Sequence, residues 1–267
     1  MKPAYLICKS FSINLLRVPR PILLAVALTF SALPLNAGQR RFSYLYETVT
    51  APKGSLEFEN WITWKHRDDP RGEDFERFEF RHEFEIGVTD RLQLGLYVAD
   101  WQYDQDDSEG HQARYGQSGI EAIYNLSNPT TDPLGSALYG EVLIGEEKVE
   151  LEAKILFEKR FGPLTLVYNA TLEAEWEGEE YHEETGEFQE ALGVSYDLNK
   201  RFSFGAELLH EIEMPDWENT NDGLVYAGPN ASIRYGRVFA TLTGLWQITN
   251  VQDEADFQAR LIFGIDF

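Results

Sequence analysis

Cysteine is nearly absent: the 267 residues contain one, Cys8, near the start of the chain. Beyond it there is no thiol, which excludes disulfides and cysteine-bound metals from everything that follows. Acidic residues are absent from the first 37 positions, where Lys2, Lys9, Arg17 and Arg20 carry the only charges. After that leader no apolar run approaches the roughly 20 residues of a membrane helix. Basic residues are scarce, 23 against 45 acids. The leader takes four of the basic residues and no acid, so residues 38–267 carry a net charge of −26. That surplus excludes nucleic acid as a partner bound through its phosphates. Disorder is excluded as well, because 17 Phe, 13 Tyr and 6 Trp give the chain ample apolar surface to bury.

What is present begins with an export signal. The basic leader is followed by an apolar core from Ile22 to Leu35 that ends at Leu35-Asn36-Ala37. The core is too short to span a bilayer, and a small residue at its end suits signal peptidase, so cleavage is expected after Ala37. Cys8 lies far from that point, which argues against a lipid anchor. Residues 1–37 are read as a signal peptide, 38–54 as a periplasmic lead-in or plug, and 55–267 as the folded body.

From Ser55 the sequence breaks into apolar/polar alternations of about ten residues, the length of a tilted membrane strand. Twelve are expected, over 55–66, 75–88, 91–103, 113–127, 136–145, 149–160, 164–176, 187–198, 202–213, 224–235, 237–249 and 255–267. An even number returns an antiparallel meander to its starting side. The connectors alternate in kind. One set is short and built from turn residues, as in Thr89-Asp90, Phe161-Gly-Pro163, Asn199-Lys-Arg201 and Tyr235-Gly-Arg237, with 128–133 its longest member. The other set is mostly longer and acidic: 67–74, 104–110, 177–186 and 215–223, with shorter members at 145–148 and 250–254. Short turns on one rim and long loops on the other fit an all-β, transmembrane antiparallel β-barrel of about 12 strands.

The second segment shows the logic. Phe78, Phe80, Phe84, Ile86 and Val88 alternate with Arg77, Glu79, Arg81, Glu83 and Glu85. Alternate side chains leave a strand on opposite faces, so the charges share one side and the rings the other. His82 falls among the rings and implies a local distortion or a shallow position. In the sixth segment Val149, Leu151, Ala153, Ile155 and Phe157 alternate with Glu150, Glu152, Lys154 and Glu158. The lumen-lining residues expected from this parity are Arg77, Glu79, Arg81, Glu83, Glu85, Glu121, Glu141, Glu152, Lys154, Glu173, Arg234 and Arg260. Two readings stay open: a polar pore favouring cations, or paired charges filling a narrow interior.

Aromatic residues gather toward strand ends. Trp61, Trp64, Trp101, Tyr103, Trp176, Phe188, Trp246, Tyr124, Tyr196, Phe202 and Tyr235 are read as girdles at the two membrane interfaces. No catalytic residue is assigned. The five histidines, His66, His82, His111, His182 and His210, are scattered, and none stands at a nucleophile–base spacing. His210-Glu211 is read as a lone pair at a rim. Barrel phospholipases carry a His-x-Ser-Asn-Gly-like segment; the nearest string here, Asn125-Leu-Ser-Asn-Pro129, lacks the histidine. The acidic stretch Glu177 to Glu184 has no calcium-loop spacing, and neither a metal site nor a cofactor is assigned.

The final strand, Leu261-Ile-Phe-Gly-Ile-Asp-Phe267, alternates and stops on an aromatic ring. It resembles the closing strand of bacterial outer-membrane barrels, which in that family is read by the assembly machinery. Arg41-Phe-Ser-Tyr-Leu-Tyr-Glu47, Ala51-Pro-Lys-Gly54 and Glu57-Phe-Glu-Asn-Trp-Ile-Thr-Trp64 resemble the opening of a group of uncharacterised proteobacterial outer-membrane proteins. That group is similar in turn to the putative outer-membrane transporters of the phenol meta-pathway, as is Gly228-Pro-Asn-Ala-Ser-Ile-Arg-Tyr235. The resemblance implies a barrel in the outer membrane of a Gram-negative bacterium. It also implies contact with outer-membrane lipid and lipopolysaccharide, recognition by the assembly machinery through Phe267, and passage of a small solute. It carries no functional residue across. A closed barrel that acts through its acidic loops is the alternative.

Overall fold

The computed structural model describes residues 40–68, 74–106, 110–218, 223–252 and 254–267. The expected signal peptide, and parts of the acidic loops at 67–74, 104–110, 215–223 and 250–254, lie outside the described residues.

Thirteen strands form one antiparallel sheet: β1 (Leu56–Arg67), β2 (Phe75–Thr89), β3 (Leu92–Asp106), β4 (Gly110–Tyr115), β5 (Gln117–Ser127), β6 (Gly135–Gly145), β7 (Lys148–Phe161), β8 (Leu164–Glu177), β9 (Glu183–Asn199), β10 (Phe202–Pro215), β11 (Leu224–Tyr235), β12 (Val238–Gln247) and β13 (Phe257–Asp266). Successive strands pair except β4 with β5, and β13 returns to β1 with Phe58 opposite Ile265 and Ile62 opposite Leu261. The sheet therefore closes on itself. β4 and β5 are two halves of one stave: both pair with β3, and the backbone N–H of Gly116 between them still bonds Asp100 O at 2.8 Å. The barrel has twelve staves. The ring of staves closes, so their backbones can bond internally as a lipid environment demands, while β4 pairs with β3 alone.

The polarity is inside-out. Val, Leu, Ile and aromatic side chains alternate outward, among them Leu94, Leu96, Ile120, Ile144, Ile155, Leu192 and Leu242, all exposed. The alternate positions face the interior and hold buried polar groups such as Glu59, Glu83, Glu121, Glu158, Asn169, Glu207 and Thr243. Strand ends fall within four residues of the expected ones. The segment expected from 187 begins earlier, at Glu183, because Glu183 to Gly186 continue the ladder with β8. The segment expected at 113–127 is broken at Gly116. Around His82 the register slips: His82 faces Ala99 while Glu83 faces Tyr97, so Val98 is the extra residue of a bulge. The bulge leaves His82 outward, where Asn60 Oδ1 lies 2.9 Å from Nδ1 and the Trp101 indole N–H lies 3.3 Å from Nε2.

Candidate functional site: the lumen and the segment that fills it

Residues 40–51 are not part of the sheet. They run through the interior, and their backbone groups are bonded by side chains of the wall. Glu207 on β10 accepts the N–H of Ser43 at 3.1 Å and of Tyr44 at 2.8 Å. Asn169 on β8 bonds both the N–H and the C=O of Tyr46, at 2.7 and 3.1 Å. Glu158 on β7 accepts from Thr48 N–H, and Gln93 on β3 accepts from Ala51 N–H. Ser232 and Thr241 donate to Arg40 O. Buried backbone groups must be paired somewhere, and here inward polar residues do what a neighbouring strand would do.

The segment's side chains fill the rest of the section. Phe42 and Leu45 are fully buried against Val167, Ala191, Leu209, Tyr226 and Leu245. Gly193 on β9 makes room for Phe42, since a Cβ there would sit 2.6 Å from the ring. Tyr46 packs on two further clusters, Ile123-Ala137-Tyr139-Leu156 and Trp61-Phe239-Ile262. Arg41 is anchored at the short-turn rim by Asp197, at 3.0 and 2.9 Å, and by Glu47 at 2.8 Å. Burial works against its charge, but Glu47 and Asp197 outweigh that and hold the guanidinium protonated more firmly than in water.

Toward the long-loop rim the lumen is open, with a cavity of about 970 Å³. Its floor is Ser43, Tyr44 and Tyr46 of the plug with Trp61 and Tyr139 of the wall. Three of the cavity's cations lie over these rings: Arg260 4.1 Å from the centre of Tyr44, Arg81 5.6 Å from that of Trp61, and Lys154 4.9 Å from that of Tyr46. Twelve carboxylates and eight cationic side chains line the cavity. The charge is also uneven around the ring. Glu150, Glu152, Glu173 and Glu211 on β7, β8 and β10 face Lys65, Arg77, Arg81 and Arg260 on β1, β2 and β13. On the short-turn side of the plug lies a small cavity of about 90 Å³, lined by Arg40, Glu57, Glu59, Glu85 and Asp266 among others.

Eight of the twelve residues singled out in the sequence line the large cavity: Arg77, Glu79, Arg81, Glu141, Glu152, Lys154, Glu173 and Arg260. Most are paired: Arg77 with Asp104 (2.6 Å), Glu79 with Lys65 (2.8 Å), Arg81 with Asp100 (2.7 Å), Lys154 with Glu152 (2.8 Å). Glu83, Glu85 and Glu121 are buried deeper in the interior, and Arg234 pairs with Asp266 at 2.5 Å near the short-turn rim. Trp61 corrects the girdle assignment. It is buried inside, its indole N–H donates to Glu59 at 2.8 Å, and Arg40 lies 4.6 Å from its ring centre. Its parity with Glu59 and Thr63 was the available signal. His210 and Glu211 are not a pair: adjacent strand residues point to opposite faces, and His210 meets Glu190 on the outside at 3.5 Å. Glu59, Tyr97, Asn169 and Glu207 were not among the twelve, yet they bind the plug or line its bed.

A family model covers residues 34–260. The chain belongs to the DUF6662 family, a family of unknown function. This DUF6662 chain matches no curated protein by sequence. In three dimensions it is similar to the COG4313 outer-membrane channel from Pseudomonas putida F1, with a TM-score of 0.60 over 85% of this chain and 100% of that one, at 12% identity. It is also similar to the translocator domain of the autotransporter NalP from Neisseria meningitidis, with a TM-score of 0.51 over 81% and 89% of the two chains at 10% identity. The NanC porin gives 0.50 over 79% and 98% at 8% identity. At such identities the likeness establishes the fold, that of outer-membrane β-barrels.

Proposed function

We propose that the protein is an outer-membrane channel for passive passage of a small polar or aromatic solute, cations preferred, with residues 40–51 as its gate. The observation that carries this reading is the way the plug is held. Its backbone is bonded by side chains such as Glu207, Asn169 and Glu158 and not by the ladder of the sheet. It can leave without breaking a single pairing of the wall. The vestibule above it would hold a small solute, and its carboxylate excess would concentrate cations. The group whose opening Arg41–Glu47 resembles is similar in turn to the phenol meta-pathway transporters, as is Gly228–Tyr235, and an aromatic solute is compatible with that. In this reading the short turns and both chain ends face the periplasm, the signal peptide is removed near Ala37, and the long loops meet lipopolysaccharide. The assembly machinery reads the strand ending at Phe267. The test is swelling of proteoliposomes in small solutes. The barrel lacking residues 40–51 should admit solutes that the intact protein admits slowly; a folded deletion variant that admits none would overturn the channel.

The packing of the plug also supports a second reading, a closed barrel that acts through its acidic surface loops. Deleting residues 178–185 should then alter surface binding and leave conductance unchanged. The role is non-enzymatic in both readings. Each histidine contacts a carboxylate, an amide or a ring: His66 near Glu76, His82 with Asn60, His111 with Tyr103, His182 with Glu180 and His210 with Glu190. Incubation with phospholipid and lipid A checks this, and product formation would refute it.

A further inference from the structure

Beneath the plug, against β2 and β5, carboxylates outnumber the cations that meet them. One oxygen each of Glu83, Glu85 and Glu121 lies within 4.8 Å of the other two, and all three residues are buried. Glu83 is fully buried, and neither of its oxygens has a hydrogen-bond partner. Glu121 Oε1 also lacks one, while its Oε2 accepts from the Tyr97 hydroxyl and, at 3.2 Å, from that of Tyr46. Arg40 bonds Glu59 at 2.7 Å and Glu85 at 3.5 Å, and leaves Glu83 without a partner. Glu57, Glu59 and Glu85 form an adjoining trio, also within 4.8 Å. Gly95 on β3 keeps the space open: a Cβ there would collide with both Glu83 and Glu121.

An unpartnered buried carboxylate aimed at two others requires either shared protons or a cation. The donors are oxygens only, with neither histidine nor sulfur, and they belong to flexible side chains. That is the chemistry of calcium-class ions rather than of zinc or copper. We infer that Glu83, Glu85 and Glu121 form a divalent-cation site of the calcium class, buried between the barrel wall and the plug. The small cavity lined by Glu57, Glu59 and Glu85 shares Glu85 with it. Tyr46, whose hydroxyl bonds Glu121, belongs to the plug, so a bound ion would tie the plug to the wall. The site stands whether or not the lumen conducts.

The test is calorimetric titration of Ca²⁺ into the full-length protein, folded in detergent and stripped with chelator. Saturable binding near one ion per barrel is expected, with a rise in the unfolding midpoint. Glu83→Gln and Glu121→Gln should each weaken binding at least tenfold, while Glu184→Gln, at an exposed position, should not. If Glu83→Gln fails to fold, as read from the heat-modifiable gel shift, Glu121→Gln decides. Absence of saturable Ca²⁺ binding by the intact protein would overturn the inference in favour of shared protons. So would binding that both buried variants retain, which would place the ion in the acidic loops.

Discussion

Glu207 faces inward from β10 and is the acceptor for four donors. Its carboxylate takes Ser43 N–H, Tyr44 N–H, the Asn230 amide at 2.8 Å and the Thr243 hydroxyl at 2.6 Å. Removing it strands two buried amides, each costing about 1–3 kcal/mol. Glu207→Ala is therefore expected to loosen the plug while the barrel stays closed, seen as faster proteolysis of residues 40–51 at an unchanged gel shift. Gly193→Ala should act on the same segment by displacing Phe42. Arg40→Ala leaves buried Glu59 and Glu85 without their shared cation. It should destabilise the protein by roughly 3 kcal/mol in denaturant titration, as breaking a buried ion pair does. At this scale the sequence was legible where parity alone decides, as for Arg81 and Glu152. Trp61 was misread because an aromatic ring suits an interface and an interior equally well. Glu207 lay in an alternating stretch, but nothing local shows that its partner is a segment 163 residues away.

The strands were the most legible elements, because a stave with lipid on one side and polar groups on the other must alternate along its whole length. Ile155 lies midway along β7, points outward and is 48% exposed; Glu152 on the same strand points inward. Ile155→Arg is expected to cost about 2–4 kcal/mol in folding into bilayers, the penalty for a cation on the lipid face near the midplane. Glu152→Gln loses the ion pair with Lys154 but keeps a polar side chain inside, so its cost should be clearly smaller. Equal penalties at both positions would contradict the assignment of faces. The break at Gly116 and the bulge at His82 were less legible: the first adds no change of parity, and the second shows only as one histidine among rings. The plug had no periodic signature to read. It borrows its hydrogen bonds from ten or more distant residues, so the sequence left a lead-in and a plug equally open.

For the whole molecule, the alternating segments and the connector lengths were enough to suggest a closed barrel, and an even number of staves lets β1 and β13 meet antiparallel. Whether the lumen is open was not legible, since that depends on where residues 40–51 lie. The most direct measurement is a planar-bilayer recording under a salt gradient, comparing the intact chain with one lacking residues 40–51. The intact protein should pass little current. The deletion variant should pass a steady current with a cation-selective reversal potential, set by the carboxylate surplus of the cavity. A correctly folded deletion variant that stays silent, or that selects anions, would contradict a gated acidic lumen.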